Sequence, residues 1–510
     1  MSWKNWRQVR QAVQILFFAF YIYLIFAVVQ QRVAPVLSDL FFRLDPLSAM
    51  GAMLASRQWI PKFGLALVTI GLTVIIGRVW CGWICPLGSL LEWVSFRKAR
   101  KRAASISPRW RLVKYFLLVT SLAAVLFGGL TLLVLDPIAI FTRTLTTAIL
   151  PAIFYAVNSI EMALYHLNFL TPALDGFEGL VRGTVLPVEQ PAFAQSLAIA
   201  ALFFGLIALN LLAHRFWCRY LCPLGALLGL LSKFSIFRPV IGSASTRYTS
   251  CTGCTRCAIV CKPGAVDTTP ENFHIMPSEC TVCLDCMSNC KPGDIRFGFA
   301  LKPAPRQEFD LSRRQALGAL ATGAAGVLLL GTDLRLRQDN PWRIRPPGVM
   351  DENTFLSTCV RCSQCMKICP TTALQPALTE AGLAGLWTPL VVPRVGYCDY
   401  GCTACGQVCP SGAIPLLPLE DKRLAVIGKA SIDRNRCLPW ASGVPCIVCE
   451  EMCPTPQKSI RLEEAQVVDS SGQTSIVQRP SVFRDLCIGC GICEHNCPLE
   501  GSAAIRVYNA

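Results

Sequence analysis

Charged residues are scarce in this chain, and histidine is almost absent. Only 16% of its 510 residues are Asp, Glu, Lys or Arg, whereas 53% are hydrophobic, a composition that argues against an ordinary soluble protein and favours membrane spans. Four histidines are too few to favour a buried b-type haem held between facing histidines, and the chain has no Cys-x2-Cys-His sequence to support c-type haem. It also lacks a glycine-rich nucleotide loop and a hydrolytic constellation, so neither flavin nor nicotinamide binding is indicated.

Cysteine, by contrast, is abundant. The chain has 28 cysteines, and 24 of them form six sets of four at iron–sulfur spacing. The regular set is Cys-x2-Cys-x2-Cys-x3-Cys, the pattern of bacterial ferredoxins that bind two [4Fe–4S] clusters. Zinc ribbons use two distant Cys-x2-Cys knuckles, and disulfide frameworks belong to small secreted domains, so both fit this recurring run less well. The predicted metal-binding sets, in three consecutive pairs, are Cys251, Cys254, Cys257 and Cys261 with Cys280, Cys283, Cys286 and Cys290; Cys359, Cys362, Cys365 and Cys369 with Cys398, Cys402, Cys405 and Cys409; and Cys437, Cys446, Cys449 and Cys453 with Cys487, Cys490, Cys493 and Cys497.

The fourth cysteine of each run is expected to ligate the cluster of the other run in its pair. Two sets are stretched, because one extra residue follows Cys398 and eight residues separate Cys437 from Cys446. For the last two pairs, the crossed groups predicted are Cys359, Cys362, Cys365 with Cys409; Cys398, Cys402, Cys405 with Cys369; Cys437, Cys446, Cys449 with Cys497; and Cys487, Cys490, Cys493 with Cys453.

Four apolar stretches are long enough to cross a bilayer, at roughly residues 12–29, 62–80, 115–135 and 196–213. Basic residues crowd the segment before the first stretch, the loop 97–114 and the residues after the fourth stretch, whereas the long segment 136–193 has only two. By the positive-inside rule the amino terminus is cytoplasmic and the four spans alternate from there. The basic residues behind the formal net charge of +16 are therefore expected to set the membrane topology, and no nucleic-acid partner is indicated.

The membrane part contains an internal repeat. Residues 78–91, Arg-Val-Trp-Cys-Gly-Trp-Ile-Cys-Pro-Leu-Gly-Ser-Leu-Leu, return at 215–228 as Arg-Phe-Trp-Cys-Arg-Tyr-Leu-Cys-Pro-Leu-Gly-Ala-Leu-Leu, which predicts two repeated hairpins. Residues four apart share a helix face, so each Cys-x3-Cys presents both sulfurs in one direction, and the following proline ends or kinks the helix. Cys81, Cys85, Cys218 and Cys222 could together bind a seventh [4Fe–4S] cluster. Alternatively, they pack as small apolar residues or form a redox-sensitive structural element.

A fifth apolar segment, about 315–331, follows Ser312-Arg313-Arg314-Gln315-Ala316-Leu317. This start resembles a twin-arginine export signal, and the alternative is the charged start of an ordinary membrane helix. Because metal ligation stabilises small cluster domains, an export route for folded proteins suits the four cysteine sets beyond this segment. Both interpretations place residues of about 333–510 outside, with the proline-containing segment 338–350 as a stiff linker.

Together these features resemble a fusion of two components of periplasmic nitrate respiration. Residues 1 to about 300 resemble the NapH-type membrane quinol dehydrogenase component, and residues from about 310 resemble the exported NapG/MauM-type ferredoxin; Lys262 and Lys291, each between a fourth cysteine and its proline, depart from the pattern. The fold class expected is a membrane α-helical bundle with three α+β ferredoxin-like modules. The expected domains are 1–240 (four-span membrane domain), 241–300 (cytoplasmic two-cluster ferredoxin), 301–350 (fifth span and linker) and 351–510 (periplasmic four-cluster domain).

The resemblance implies a multi-pass protein of the bacterial inner membrane that oxidises quinol and passes electrons singly to a periplasmic cytochrome or nitrate reductase. The twin-arginine translocase would be its partner during biogenesis. His214 and the amphipathic stretch 137–157 are candidates for a quinone pocket. A histidine in this position is more often simply an interfacial residue, and an ordinary loop helix accounts for 137–157 at least as well. Two other functions stay open: a reductase for maturation of an exported metalloenzyme, and a regulatory or structural subunit that senses redox state.

Overall fold

The computed structural model describes most of the chain. The described residues are 3–29, 35–95, 106–182, 187, 190–241, 255–269, 272–290, 295–299, 312–331, 340–349, 351–468 and 474–509. Cys251, Cys254 and Lys291 lie outside them. The chain divides by packing into two units, unit 1 with residues 1–27, 37–144 and 197–329, and unit 2 with residues 28–36, 145–196 and 330–510.

Unit 1 is mainly helical. Its first helix, Trp3–Val29, runs for 27 residues. Others are short, because proline and a capping aspartate begin them and glycine ends them: Asp45 caps Pro46–Ser56, and Gly77, with a positive φ, ends Ala66–Ile76. The other described α-helices between residues 35 and 241, apart from two that belong to unit 2, are Pro35–Ser38, Leu40–Arg43, Pro86–Trp93, Leu112–Leu126, Pro137–Thr144, Ser196–Ala208 and Pro223–Ser232.

The helices differ in length from the predicted spans. The stretch 115–135 forms the helix Leu112–Leu126, a turn at Gly128 and the 3-10 helix Thr131–Leu135, and the stretch 62–80 is interrupted at Gly77. Within the part of the chain that the structure describes, two helices are long and apolar enough to cross a membrane: Trp6–Ala27, with 22 residues, and Pro137–Tyr165, with 29. The second covers the stretch 137–157, for which the sequence predicts only an interfacial or loop helix.

Each copy of the repeat folds in the same way. A π-helical turn, Trp80–Ile84 or Trp217–Leu221, carries the first cysteine. The second cysteine, Cys85 or Cys222, is extended, and the proline after it occupies the first turn of a new α-helix. The proline thus ends one helix and begins the next.

The twin-arginine-like segment forms the helix Arg313–Gly331. Ser312 and Gln315 cap its start reciprocally: Gln315 N donates to Ser312 Oγ (3.3 Å), and Ser312 N donates to Gln315 Oε1 (3.0 Å). The helix packs on Leu112–Leu126, where Thr120 Oγ1 donates to Ala319 O at 3.3 Å and a Cβ on Gly323 would lie 2.6 Å from Thr120 O. Small residues four apart therefore let the two backbones approach closely.

The inner ferredoxin segment packs within unit 1 rather than as a separate domain. Its short helices are Arg256–Val260 and Asp285–Asn289, and its antiparallel strand pairs are Phe237–Ile241 with Ile295–Phe299 and Val266–Thr269 with Asn272–Ile275. Ile76, Val79 and Trp83 of the membrane part pack against its apolar core. Trp83 Nε1 also donates a hydrogen bond to Val282 O at 2.9 Å.

Unit 2 contains the carboxyl-terminal cysteine sets. Antiparallel strand pairs organise it: Leu374–Pro376 with Pro389–Val391, Lys429–Ile432 with Ile505–Tyr508, and Ile460–Val468 with Thr474–Val482. Its helices are Leu150–Tyr165, Thr171–Val181, Glu352–Thr358, Gln364–Ile368, Ala404–Gln407, Leu419–Leu424, Leu438–Ala441, Val448–Glu451 and Ile492–His495. One core of buried residues, in which many cysteines take part, joins these short elements.

Two segments have contacts that their predicted domain boundaries do not describe. In the segment 338–350, predicted as a stiff linker, Ile344 is buried in the core of unit 2 and Arg345 donates to Glu352, Thr388 and Pro389 O. The segment 145–196, which the sequence assigns to the membrane domain, packs with unit 2. Its Phe193 lies in the same core.

We predict that Gly82→Ala loosens the inner segment from the membrane part. A Cβ on Gly82 would collide with the Thr281 backbone carbonyl, and such overpacking costs about 1–3 kcal/mol. The expected result is a lower unfolding temperature and faster proteolysis within 255–299. Gly71→Ala is the matched control, because nothing lies within 4 Å of its Cβ; equal behaviour of the two variants would contradict the close contact.

Candidate iron–sulfur sites

The cysteines of unit 2 surround small apolar cavities in a crossed arrangement. Each cavity takes three sulfurs from one set and one from the other set of the pair, as the ferredoxin pattern predicts. Three such cavities are lined by Cys437, Cys446, Cys449 and Cys497; by Cys487, Cys490, Cys493 and Cys453; and by Cys398, Cys402, Cys405 and Cys369. Cys409 in turn lies within electrostatic range of Cys359 and Cys365.

The inner segment follows the same rule where it is described. Cys261 lines one cavity together with Cys280, Cys283 and Cys286. Cys257 and Cys290 lie in or against the same apolar core. Their predicted partners Cys251 and Cys254 are outside the described residues.

Left-handed residues shape the regular cysteine loops. In the regular sets whose loops are fully described, the residue before the second cysteine and the residue after it both have positive φ: Val282 and Leu284, Arg361 and Ser363, Gly489 and Gly491. Such conformations are rare for residues other than glycine and often mark functional sites. In the two stretched sets the residues on either side of the second cysteine do not have positive φ, but Gly443, one of the extra residues between Cys437 and Cys446, does.

The thiols are buried ligand candidates rather than exposed nucleophiles. Burial raises the pKa of Cys398 and Cys405 to about 12 and that of Cys490 to about 11. Burial alone would raise the pKa of Cys453 too, but hydrogen bonds from Thr455 and Ser459 lower it. Buried thiols become thiolates readily when a metal supplies positive charge, so an all-sulfur donor set in an apolar cavity fits iron–sulfur ligation.

No mononuclear site accompanies these cavities. Within the described ranges, no three His, Cys, Asp or Glu side chains converge tightly enough to hold a single metal ion. The cysteine sulfurs of these ranges line cavities and do not converge on the position of one ion.

The two membrane Cys-x3-Cys pairs come together because the repeat copies exchange arginines. Arg215 Nη2 donates to Cys81 O at 2.6 Å, and the same nitrogen lies 2.6 Å from where a Cβ on Gly88 would stand. Reciprocally, Arg78 Nη2 lies 2.9 Å from the Cβ position of Gly225. Each Cys-Pro-Leu-Gly sequence thus leaves room for the arginine of the other copy. In this arrangement Cys81, Cys85, Cys218 and Cys222 lie within electrostatic range of one another.

The inner cysteine set lies directly against the first repeat copy. Gly82, which follows Cys81, contacts the Thr281 carbonyl, which follows Cys280. Arg78 Nη1 donates to Ser278 O at 2.7 Å and lies 3.8 Å from Glu279 Oε2. The ligand loops of two predicted sites therefore touch through backbone atoms.

Buried charge fixes this contact, and the sequence gives little sign of it. Glu279 accepts from Lys114 Nζ at 2.6 Å. Glu92 accepts from Arg10 at 2.9 Å and from Lys262 at 2.6 Å. Burial opposes ionisation of Glu92, but Arg215, Arg10 and Lys262 lower its pKa to about 2.

Lys262 therefore explains one departure from the ferredoxin pattern. The lysine that stands between Cys261 and its proline bridges Glu92 of the membrane part and Asp285 of the inner segment, 3.2 Å from the latter. Glu92 and Asp285 are far from Lys262 along the chain, and no motif in the sequence marks them as its partners. His214, a candidate for a quinone pocket, is buried at 6% exposure.

Comparisons with known proteins agree with the cysteine geometry. A family model described as "4Fe-4S binding domain" matches residues 63–103 and 195–242, the two segments that contain the repeat copies. The ferredoxin-type protein NapG of Escherichia coli K12 is 36% identical over 203 residues, which cover 38% of this chain and 84% of NapG. The methylamine utilization ferredoxin-type protein MauM of Methylorubrum extorquens is 36% identical over 208 residues, covering 38% of this chain and 88% of MauM.

A third relative, the ferredoxin-type protein NapF of Escherichia coli K12, is 30% identical over 162 residues, covering 32% of this chain and 84% of NapF. No solved structure matches the chain. The cysteine-lined cavities, the 4Fe-4S binding domain and these relatives point to iron–sulfur electron transport. By this similarity, the chain belongs to the NapG/MauM family of ferredoxin-type proteins.

Proposed function

We propose that the protein is a membrane-bound electron carrier that oxidises quinol and passes the electrons to a periplasmic acceptor such as a nitrate reductase system. The observation that carries the proposal is the backbone contact between Cys81-Gly82 and Cys280-Thr281, since it joins a membrane cysteine set to a ferredoxin set within one packed unit. Quinol oxidation releases two electrons and two protons, whereas an iron–sulfur cluster takes one electron at a time. Several adjacent cluster sites would allow the two electrons of a quinol to be accepted one at a time.

A fusion of a NapH-type membrane component with a NapG/MauM-type ferredoxin accounts for the order of the chain. The NapG and MauM relatives match about 200 residues, close to the length of the segment from 310 onward. The 4Fe-4S binding domain match falls on 63–103 and 195–242, within the segment that resembles the NapH type. Quinol is the natural donor because the sequence offers no nucleotide site.

The proposed topology has the amino terminus and the inner set in the cytoplasm, four spans, a fifth span at Arg313–Gly331 and the domain from about 333 in the periplasm. Contacts within each unit support it. In unit 1, the inner segment is held by Arg111 and Lys114, which belong to the basic loop 97–114. In unit 2, the carboxyl-terminal domain holds the residues just before the predicted span 196–213: Gln375 Nε2 donates to Ala192 O at 2.9 Å, and Gln195 Nε2 donates to Pro376 O at 2.8 Å.

We further propose six [4Fe–4S] clusters on the regular and stretched sets and a seventh on Cys81, Cys85, Cys218 and Cys222. Four crossed cavities and the proximity of Cys409 to Cys359 and Cys365 support five of the six, and the spacing of Cys251, Cys254 and Cys257 supports the remaining one. The exchanged arginines and the family match over both repeat copies support the seventh. When bound, these clusters supply one-electron chemistry, and the role of the chain is to hold them close together and away from water.

A second function has an observation in its favour. Because the loop of the inner set contacts the residue after Cys81, electrons could equally enter from a cytoplasmic ferredoxin and leave toward the maturation of an exported metalloenzyme. The choice between the two depends on which donor reduces the protein.

Reduced quinol added to anaerobic membranes that contain the protein is expected to bleach the visible absorption of its oxidised clusters. The reason is that the proposed donor site lies in the membrane part. Membranes from cells without the protein are the control. No bleaching by any quinol, together with reduction by a cytoplasmic ferredoxin, would favour the maturation function instead.

The double variant Cys81→Ser, Cys218→Ser is expected to lose one cluster, about four irons per chain, because two of four thiolates are removed from the membrane site. Iron and acid-labile sulfide per purified chain measure the loss. Cys437→Ser serves as the positive control for a cluster lost from unit 2. Unchanged iron in the double variant, with a loss in the control, would remove the seventh cluster.

Trypsin added to right-side-out membrane vesicles is expected to cut unit 2 after the exposed Arg423 while sparing residues 255–299, and inverted vesicles should show the reverse. Antibodies against the two segments report the fragments. Detergent-opened vesicles, in which both segments are accessible, are the control. Cleavage of both segments from the same side of intact vesicles would reject the topology.

A further inference from the structure

Two cysteine loops of unit 2 that belong to different ferredoxin pairs meet directly. Cys398 N donates a hydrogen bond to Cys490 O at 2.8 Å. Cys398 lines the cavity that Cys369 completes, and Cys490 lines the cavity that Cys453 completes. The contact therefore joins the second pair of sets to the third.

A buried lysine stands at this junction. Lys422, in the helix Leu419–Leu424, is 3% exposed. Its ammonium donates to the carbonyl oxygen of Asp399, the residue after Cys398. The same charge lies within electrostatic range of Cys398 and Cys402 on one side and of Cys490 on the other.

Among the described residues, Lys422 forms no salt bridge. Its contacts there are the carbonyl oxygen of Asp399 and the ring of Tyr400, whose centroid is 5.9 Å from Nζ. Oδ1 of the Asp399 carboxylate accepts a hydrogen bond from Gly401 N at 2.7 Å. A full positive charge in a buried setting acts much more strongly on nearby charges than one in water.

We propose that Lys422 tunes the reduction potential of the two iron–sulfur sites that meet at Cys398 and Cys490. Adding one electron to either site makes it more negative, with no bond or proton change, and the ammonium stabilises that added charge. The two sites are thereby easier to reduce than they would be without the lysine, so electrons that enter unit 2 collect at the junction between its two pairs. The inference rests on the proposed function only in requiring clusters on these two sets.

The test is anaerobic redox titration of the purified full-length protein with dithionite, with the reduced clusters followed by electron paramagnetic resonance. Lys422→Met is expected to weaken reduction of two clusters at least tenfold, which is about 59 mV for a one-electron couple. Lys422→Arg keeps the positive charge and is expected to have the same potentials as the wild type. Arg423→Met is the matched control, because it removes a neighbouring charge that is exposed and lies over the same tyrosine ring.

Each outcome decides the proposal. Potentials of Lys422→Met that match the wild type would overturn it. Loss of iron in Lys422→Met would overturn it as well, because the lysine would then be needed to assemble the loop rather than to set a potential. An equal shift in Arg423→Met would show an unspecific surface effect and would count against it. The titration uses dithionite, so failure of quinol to reduce the protein leaves this result unaffected.

Discussion

The crossing of cysteines between paired sets is the constraint on which unit 2 depends. Its helices have four to seven residues around the cysteines, for example Gln364–Ile368 and Ile492–His495, far below the length at which a helix is stable alone. Its sheets have only two strands each, and such pairs are marginal by themselves. What joins them is a core to which cysteines contribute heavily, so metal ligation and folding are one process in such a domain.

In unit 1 the corresponding constraint is electrostatic. Two buried acids, Glu92 and Glu279, are surrounded by basic residues from the first helix, from the repeat and from the end of the basic loop 97–114. Burial of so many charges is acceptable only when each has partners, and removal of one partner from such a group is usually costly. The arrangement therefore specifies a single position for the inner cysteine set against the repeat. The glycines of the repeat provide the space for this close packing.

The sequence predicts the sites better than it predicts the segments between them. Cysteine spacing is a local property, so the grouping of Cys497 with the Cys437 set follows from the pattern alone. Helix lengths are harder to predict from the sequence, because an apolar run does not reveal that the helix will end at Gly77 or Gly128. The burial of Ile344 within the predicted linker 338–350 is not apparent in the sequence either, since it depends on partners from distant parts of the chain. The salt bridges of Lys262 are equally invisible, because Glu92 is 170 residues away.

The docking of residues 192–195 on the carboxyl-terminal domain has a consequence for how the protein is made. Phe193 is 8% exposed and fills part of the core that also contains Ile344 and Phe355, yet it belongs to a stretch translated long before that domain. If the domain is exported after folding, it leaves the cell interior with an empty apolar notch. Residues 192–195 can fill this notch only when the folded domain reaches them on the periplasmic side of the membrane. Export of the domain and its attachment to the rest of the chain would then occur together.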